Sequence, residues 1–122
     1  LGVEPGKLRA YRGQIRIVQK QGILQIYNLV SMKDYLLSVV GSESQADFPL
    51  EALKAQAVLV RTSMERYKTG DLLNDSTEKQ AYLGADWERP AVQEAVDQTA
   101  GEIVRFKSRP INVFFHSCCA GS

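Results

Sequence analysis

The chain has 122 residues and a mass of 13.6 kDa, one domain's worth of polymer, able to bury about two-thirds of the surface its unfolded form exposes. Apolar residues make up 44% and charged residues 24%, which excludes disordered, collagen-like and low-complexity classes. The net charge is +1, so no global field points to nucleic acid or a membrane surface, and no apolar run approaches the ~18 residues of a membrane span.

The charge is uneven along the chain. Lys7, Arg9, Arg12, Arg16 and Lys20 face only Glu4 in residues 1–30, whereas residues 71–102 are rich in acids against Lys79 and Arg89. Such asymmetry reads as a strand edge guarded by cations and a solvated acidic face.

Residues 11–20 and 23–30 are β-branched and partly alternating, with Gln21-Gly22 between them. They predict a hairpin whose turn uses Gly22. Ser31 then suits a helix N-cap, and Asp34 three residues on completes a capping-box-like pair. Met32, Tyr35, Leu36, Val39 and Val40 form the apolar stripe of that helix. A second helix starts at Pro49, with Leu50, Leu53, Ala57, Val60, Met64 and Tyr67 at helical spacing and Thr69-Gly70 as its stop.

Residues 71–80 read as a polar loop, and Gln80-Ala81-Tyr82-Leu83 as a short strand. Pro90 opens a third helix carrying Val92, Ala95, Val96 and Thr99 on one face, closed by Gly101. Residues 103–106 and 111–115 predict a second hairpin turning at Ser108-Arg109-Pro110. The resulting fold class is α+β: an N-terminal β-hairpin, two consecutive central helices, a third helix and a C-terminal β-hairpin in one domain over residues 1–122. The chain begins at Leu1 rather than Met and stops at a Gly/Ser turn signal after a strand-like run. It therefore reads as a fragment of a longer protein, and the lack of a signal-peptide pattern at its start says nothing about export.

Glu43 is the most informative position for chemistry. If the first helix runs to residue 43, its spacing from Leu36, Val39 and Val40 puts this carboxylate on the apolar stripe. Burial and the helix C-terminal dipole would then both raise its pKa, as a general acid near neutral pH requires. If the helix ends at Gly41, Glu43 is an exposed loop acid. Lys54 and Arg61 share a face of the second helix, with Gln56 beside the core stripe, either as surface charge or as donors for a polar substrate.

His116, Cys118 and Cys119 invite metal or nucleophile readings. However, a zinc site usually needs four ligands, and the chain has no other His or Cys. On a strand His116 and Cys118 share a side while Cys119 looks away. A cysteine nucleophile activated by His116 stands beside the plainer reading of two small structural cysteines.

Residues 35–43 (Tyr-Leu-Leu-Ser-Val-Val-Gly-Ser-Glu), 48–58 (Phe-Pro-Leu-Glu-Ala-Leu-Lys-Ala-Gln-Ala-Val) and Arg61-Thr62 resemble the core of the stage II sporulation protein D (SpoIID/LytB) domain. Residues 80–84 (Gln-Ala-Tyr-Leu-Gly), 95–101 (Ala-Val-Asp-Gln-Thr-Ala-Gly) and Phe115-His116-Ser117 extend the likeness over nearly the whole chain. The resemblance implies a lytic transglycosylase that cuts the MurNAc–GlcNAc β-1,4 bond of peptidoglycan without water and leaves a 1,6-anhydro sugar. It puts the single catalytic glutamate at Glu43. Gln56, Arg61, Gln80, Tyr82, His116 and Ser117 become candidate substrate-binding residues, with Gln56 or Arg61 alternatively holding Glu43 or the main chain.

A close Arg61 would lower the pKa of Glu43, which favours contact of Arg61 with substrate or main chain. The likeness also implies an envelope location, peptidoglycan glycan strands as partner and an association with a wall amidase. It implies no nucleic acid and a membrane link only through an N-terminal anchor or signal outside the chain. No cofactor is expected.

The chain departs from many relatives at Ser44-Gln45, where they carry Met-Pro, and at Phe48, where they carry Trp. Cys118-Cys119-Ala120-Gly121 replaces a run of small residues and glycines. Some relatives bind zinc through His and Cys in the loop matching residues 69–80. This chain has neither there, so no metal is expected in that loop. Other members are non-catalytic wall-binding or amidase-enhancing modules, which is the alternative to an enzyme.

Overall fold

The computed structural model describes residues 8–67 and 81–115. Three helices form the body: α1 (Met32–Glu43), α2 (Leu50–Met64) and α3 (Pro90–Gln98). Their apolar stripes meet in one core built from Leu36, Leu37, Val39 and Val40 of α1, Leu53, Ala57 and Val60 of α2, and Val92, Ala95 and Val96 of α3. The predicted stripes of α2 and α3 are buried or half-buried, whereas α1 is buried all round from Leu36 to Gly41, with Leu37 and Ser38 lying off its predicted stripe. Met32, Tyr35, Leu50, Tyr82 and Phe115 pack around this core from the outside.

The first hairpin pairs β1 (Gln14–Lys20) with β2 (Ile23–Leu29) antiparallel, from Gln14 opposite Leu29 to Lys20 opposite Ile23. Gln21 and Gly22 both take positive φ, 51° and 77°, the mirror-image turn whose twist matches the strands. A two-stranded hairpin is marginal alone in water, and this one is tied down through Tyr82. The Tyr82 hydroxyl donates to Asn28 Oδ1 on β2. Its ring packs on Tyr35 at 5.1 Å between centroids and on Tyr11 at 5.6 Å. Arg12 adds a two-pronged ion pair to Glu88, with contacts of 2.7 and 2.9 Å.

The start of α1 is as the sequence indicates, with Ser31 Oγ accepting from the Asp34 N–H at 3.1 Å. The helix runs through Gly41 to Glu43, which settles the alternative left open by its glycine. Gly41 has a packing reason: a Cβ there would overlap the Trp87 carbonyl oxygen and lie 2.9 Å from its carbon. Pro49 stands just outside α2, at the cap position. The α-helix ends at Met64 in a 3₁₀ turn over Glu65–Tyr67. The stop expected at Thr69-Gly70 lies outside the described residues, as does the loop over 71–80.

Two expectations need correction. Residues 81–84 form no strand and pair with none among the described residues, and a 3₁₀ turn follows at Ala85–Trp87. Their main-chain groups at Ala81 and Gly84 bond side chains of α1 instead. The second hairpin is shorter and turns earlier than predicted. Its strands are β3 (Arg105–Phe106) and β4 (Arg109–Pro110). Lys107 and Ser108 take the two left-handed positions, with φ 49° and 65°, so Arg109 and Pro110 join the ladder rather than the turn. Pro110 has no N–H to donate, which a ladder of this length at an edge tolerates.

Gly41→Ala is expected to destabilise the domain by about 2 kcal/mol or more, because overpacking against Trp87 outweighs the helix propensity gained; urea denaturation measures it. Burial, with the charge of Glu43 next, raises the pKa of Tyr35, and burial pushes that of Tyr82 up to about 12. Ionised phenolates are thus favoured in the unfolded chain. The stability these groups contribute is present below their ordinary value of 10.0 and is lost as pH rises towards 12. Tyr82→Phe is expected to lose less stability than the parent across that window, while starting lower by about 1 kcal/mol from the lost Asn28 bond; denaturation curves across alkaline pH provide the test.

Candidate active site at the end of helix α1

The last turn of α1 is fixed by Arg89. Its guanidinium donates to the carbonyls of Gly41 (3.3 Å), Ser44 (3.3 and 3.4 Å) and Gln45 (3.4 Å), and to Ser44 Oγ at 2.9 Å. Ser44 is buried, and its hydroxyl donates to the Val40 carbonyl while its N–H donates to the same oxygen at 3.1 Å. Of the carbonyls that a helix end leaves without partners, those of Val40 and Gly41 are thereby satisfied. A cation there also complements the dipole.

Glu43 sits on this turn, and its side chain is exposed. The expected burial on the apolar stripe is not found: the helix ends at this residue, and the core lies on the faces of Leu36, Val39 and Val40. The carboxylate is nevertheless held on both oxygens. Oε2 accepts from Gln56 Nε2 of α2 at 3.2 Å, and Oε1 accepts from the Ala81 backbone N–H at 3.0 Å. The neighbouring Ser42 hydroxyl donates to the Ala81 carbonyl, so consecutive α1 residues grip both polar groups of Ala81. Further along, the Gly84 N–H donates to Ser38 Oγ at 3.0 Å.

Each carboxylate oxygen can accept at two positions, and one N–H on each leaves room for a proton or a substrate hydroxyl. The arrangement can present an oriented, solvent-accessible carboxyl group for proton transfer. No group of three or more His, Cys, Asp or Glu side chains suited to a metal occurs among the described residues.

The structure brings two of the other candidates to Glu43. Gln56 touches it directly. Tyr82 adjoins through Ala81, but its hydroxyl is committed to Asn28 and its ring to Tyr35 and Tyr11. Arg61 is elsewhere. It is buried against the end of α3, donating to the Glu102 carbonyl (2.9 Å), the Val96 carbonyl (3.4 Å) and Thr99 Oγ1 (3.4 Å). Burial lowers its pKa, opposed by the charge of Glu102. Of the two contacts the sequence allowed for Arg61, the main-chain one is present. Thr62 acts beside it, accepting from the Val104 N–H at 2.9 Å. Lys54 pairs with Glu51 at 3.0 Å. Gln80, His116, Ser117, Cys118 and Cys119 lie outside the described residues.

Sequence reasoning missed Arg89 and the Ala81 N–H. Arg89 precedes Pro90 and looks like any residue ahead of a helix, and a backbone donor carries no side-chain signature. Neither has a local signal, since both act across more than 35 positions in the chain.

Comparison with known proteins covers the same stretch of the chain. The chain is 32% identical over 117 residues to an uncharacterised protein of Brachyspira hyodysenteriae, covering 91% of this chain and 32% of that protein. It is 31% identical over 112 residues to the stage II sporulation protein D of Bacillus amyloliquefaciens, covering 75% and 33%. To the amidase enhancer of Bacillus subtilis it is 36% identical over 86 residues, covering 70% and 12%. The chain thus spans about a third or less of the length of these relatives. The SpoIID family, described as stage II sporulation protein, matches residues 20–106, a span that holds Glu43, Gln56 and Ala81. The chain belongs to the SpoIID family.

Proposed function

We propose that this domain works at the bacterial cell wall as a peptidoglycan lytic transglycosylase, with Glu43 as the group that moves the proton. The observation that carries the reading is the Glu43 carboxylate itself: exposed, at the end of a helix, and oriented on both oxygens by Gln56 and Ala81. Family membership and relatives named for sporulation and amidase enhancement support a cell-wall role and an envelope location.

The chemistry suits a single acid. A glycoside hydrolase usually flanks the bond with two carboxyl groups, whereas here the sugar's own C6 hydroxyl is the nucleophile. Protonated Glu43 gives its proton to the leaving glycosidic oxygen as the C1–O4 bond breaks. The resulting carboxylate takes the proton of the C6 hydroxyl as the O6–C1 bond forms, closing the 1,6-anhydro ring. The proton lost in the first half is regained in the second, so Glu43 ends the cycle as it began. Gln56 and the Ala81 N–H hold the carboxyl group in line through both transfers. The N-acetyl group of the substrate can stabilise the charge developing at C1, the part a second carboxylate plays in hydrolases.

A second reading, a non-catalytic module that binds wall and enhances an amidase, is favoured by the relationship to an amidase enhancer. Peptide-stripped glycan strands separate the two. Mass spectrometry is expected to find anhydromuramic ends after incubation with the parent chain, and Glu43→Gln is expected to lower their rate of appearance about 100-fold or more. Full activity in Glu43→Gln overturns the mechanism, and retention on insoluble peptidoglycan without product supports the second reading.

Gln56→Ala is expected to reduce kcat about tenfold with a smaller change in KM, since it loosens the orientation of the acid rather than the grip on substrate. Steady-state kinetics on the same strands checks the split.

A further inference from the structure

The tip of the second hairpin carries a feature that the site at α1 does not use. Residues 103–115 contain Arg105, Lys107 and Arg109 but no Asp or Glu. Phe106, between the first two cations, is 68% exposed. The Lys107 ammonium lies 5.4 Å from the centre of the Phe106 ring, which places charge and aromatic surface side by side. Phe106, Lys107, Arg109, Pro110, Ile111 and Asn112 line one open recess.

The turn is unusual in composition. Its left-handed positions are held by Lys107 and Ser108, where Asn-Gly would be accommodated with least strain. Backbone held in a sparsely populated region is commonly retained for what it presents, and here it presents a cation at the extremity. Arg105 is partly engaged, donating to the Ser108 carbonyl at 3.3 Å and lying 3.9 Å from Glu65 Oε1. The outward charge therefore rests mainly on Lys107 and Arg109.

We propose that this hairpin tip is a peripheral docking point for an anionic phospholipid surface, with Lys107 and Arg109 on the headgroup phosphates and Phe106 inserted at the acyl boundary. Charge complementarity selects an anionic partner, and the exposed ring selects a bilayer over a soluble polyanion. A polyanion gains little from an apolar side chain, whereas an interface takes up a phenylalanine flanked by cations. The near-neutral total charge does not oppose this, because the attraction falls off within a Debye length and is therefore local to the tip.

The test uses the whole chain in sedimentation with two sets of vesicles, phosphatidylcholine alone and phosphatidylcholine containing phosphatidylglycerol. Binding to the anionic set is expected, falling steeply with added salt and about 30-fold in the Lys107→Gln/Arg109→Gln double variant, or roughly fivefold per charge. Phe106→Ser is expected to weaken it about tenfold more than it weakens capture of soluble polyphosphate. Equal binding to both vesicle sets, binding that ignores salt, or a Phe106→Ser variant that binds vesicles like the parent each overturns the proposal; the last would mark a plain polyanion site. The substituted side chains are exposed, so circular dichroism of each variant is expected to match the parent. The salt series on the parent chain tests the electrostatic attraction, and a double variant that binds the anionic vesicles like the parent removes it from the hairpin tip and overturns the proposal. None of these readouts depends on Glu43, so failure here leaves the catalytic reading untouched, and the reverse holds as well.

Discussion

The domain depends on how closely a peptide backbone can approach a helix. Gly41 lets the Trp87 carbonyl lie directly on α1. From that contact the segment 81–89 wraps the helix's second half: Ala81 meets Ser42 and Glu43, Gly84 meets Ser38, and Arg89 closes over residues 41–45. Residues 41 and 43 point to roughly opposite sides of the helix, given about 100° per residue. The segment thus holds α1 from two sides, and the carboxylate of Glu43 is aimed by the same packing that seats Trp87. A Cβ at position 41 would move a backbone whose other end carries the N–H bonded to Oε1.

That arrangement explains how a glycine persists in a helix of 12 residues. Glycine in a helix interior costs about 1 kcal/mol relative to alanine, and a helix end leaves carbonyls without partners. Arg89 and Ser44 satisfy two of those carbonyls, Gly41 and Val40. Arg61 solves a related problem at the end of α3, where its guanidinium takes the carbonyls of Val96 and Glu102. Arg61 is 6% exposed, and such burial is tolerable only because its hydrogen bonds are made. The Arg61-Thr62 pair is therefore explained by the turn it holds, with Thr62 taking the Val104 N–H. Two arginines far apart in the chain each donate to main-chain carbonyls and to one hydroxyl, closing the ends of α1 and α3.

Local physics made much of the fold legible. Helical spacing identified buried residues in each helix but not Leu37 and Ser38 of α1, the Ser31 cap was readable from its residue type, and Gly22 placed the first turn. The errors have specific causes. Spacing from Leu36 and Val40 assigned Glu43 to the apolar stripe, but periodicity cannot say where a helix stops having neighbours, and at its last residue the stripe faces solvent. Proline suggested a turn at residues 108–110, yet left-handed Lys107 and Ser108 turn the chain first. Residues 80–83 read as a short strand, but the main-chain groups of Ala81 and Gly84 bond side chains of α1. Of the site, Glu43 and Gln56 carry chemical groups that the family resemblance singled out, whereas Arg89 and the Ala81 N–H depend on contacts that only the folded chain makes.

The exposure of Glu43 changes what the proposed reaction asks of the protein. A deeply buried acid would keep its proton by exclusion of water, and such a site would not admit a polymer. An accessible carboxyl group must instead be useful because of where it points. Gln56 and the Ala81 N–H contribute that direction without using every acceptor position, so the group can hold a proton outward or receive one there. In the proposed reaction, a glycan chain over the turn excludes water and lowers the local dielectric, so that both proposed proton transfers take place under cover that the substrate supplies. A transglycosylase gains doubly from this, because the water displaced is the nucleophile that would divert the reaction to hydrolysis.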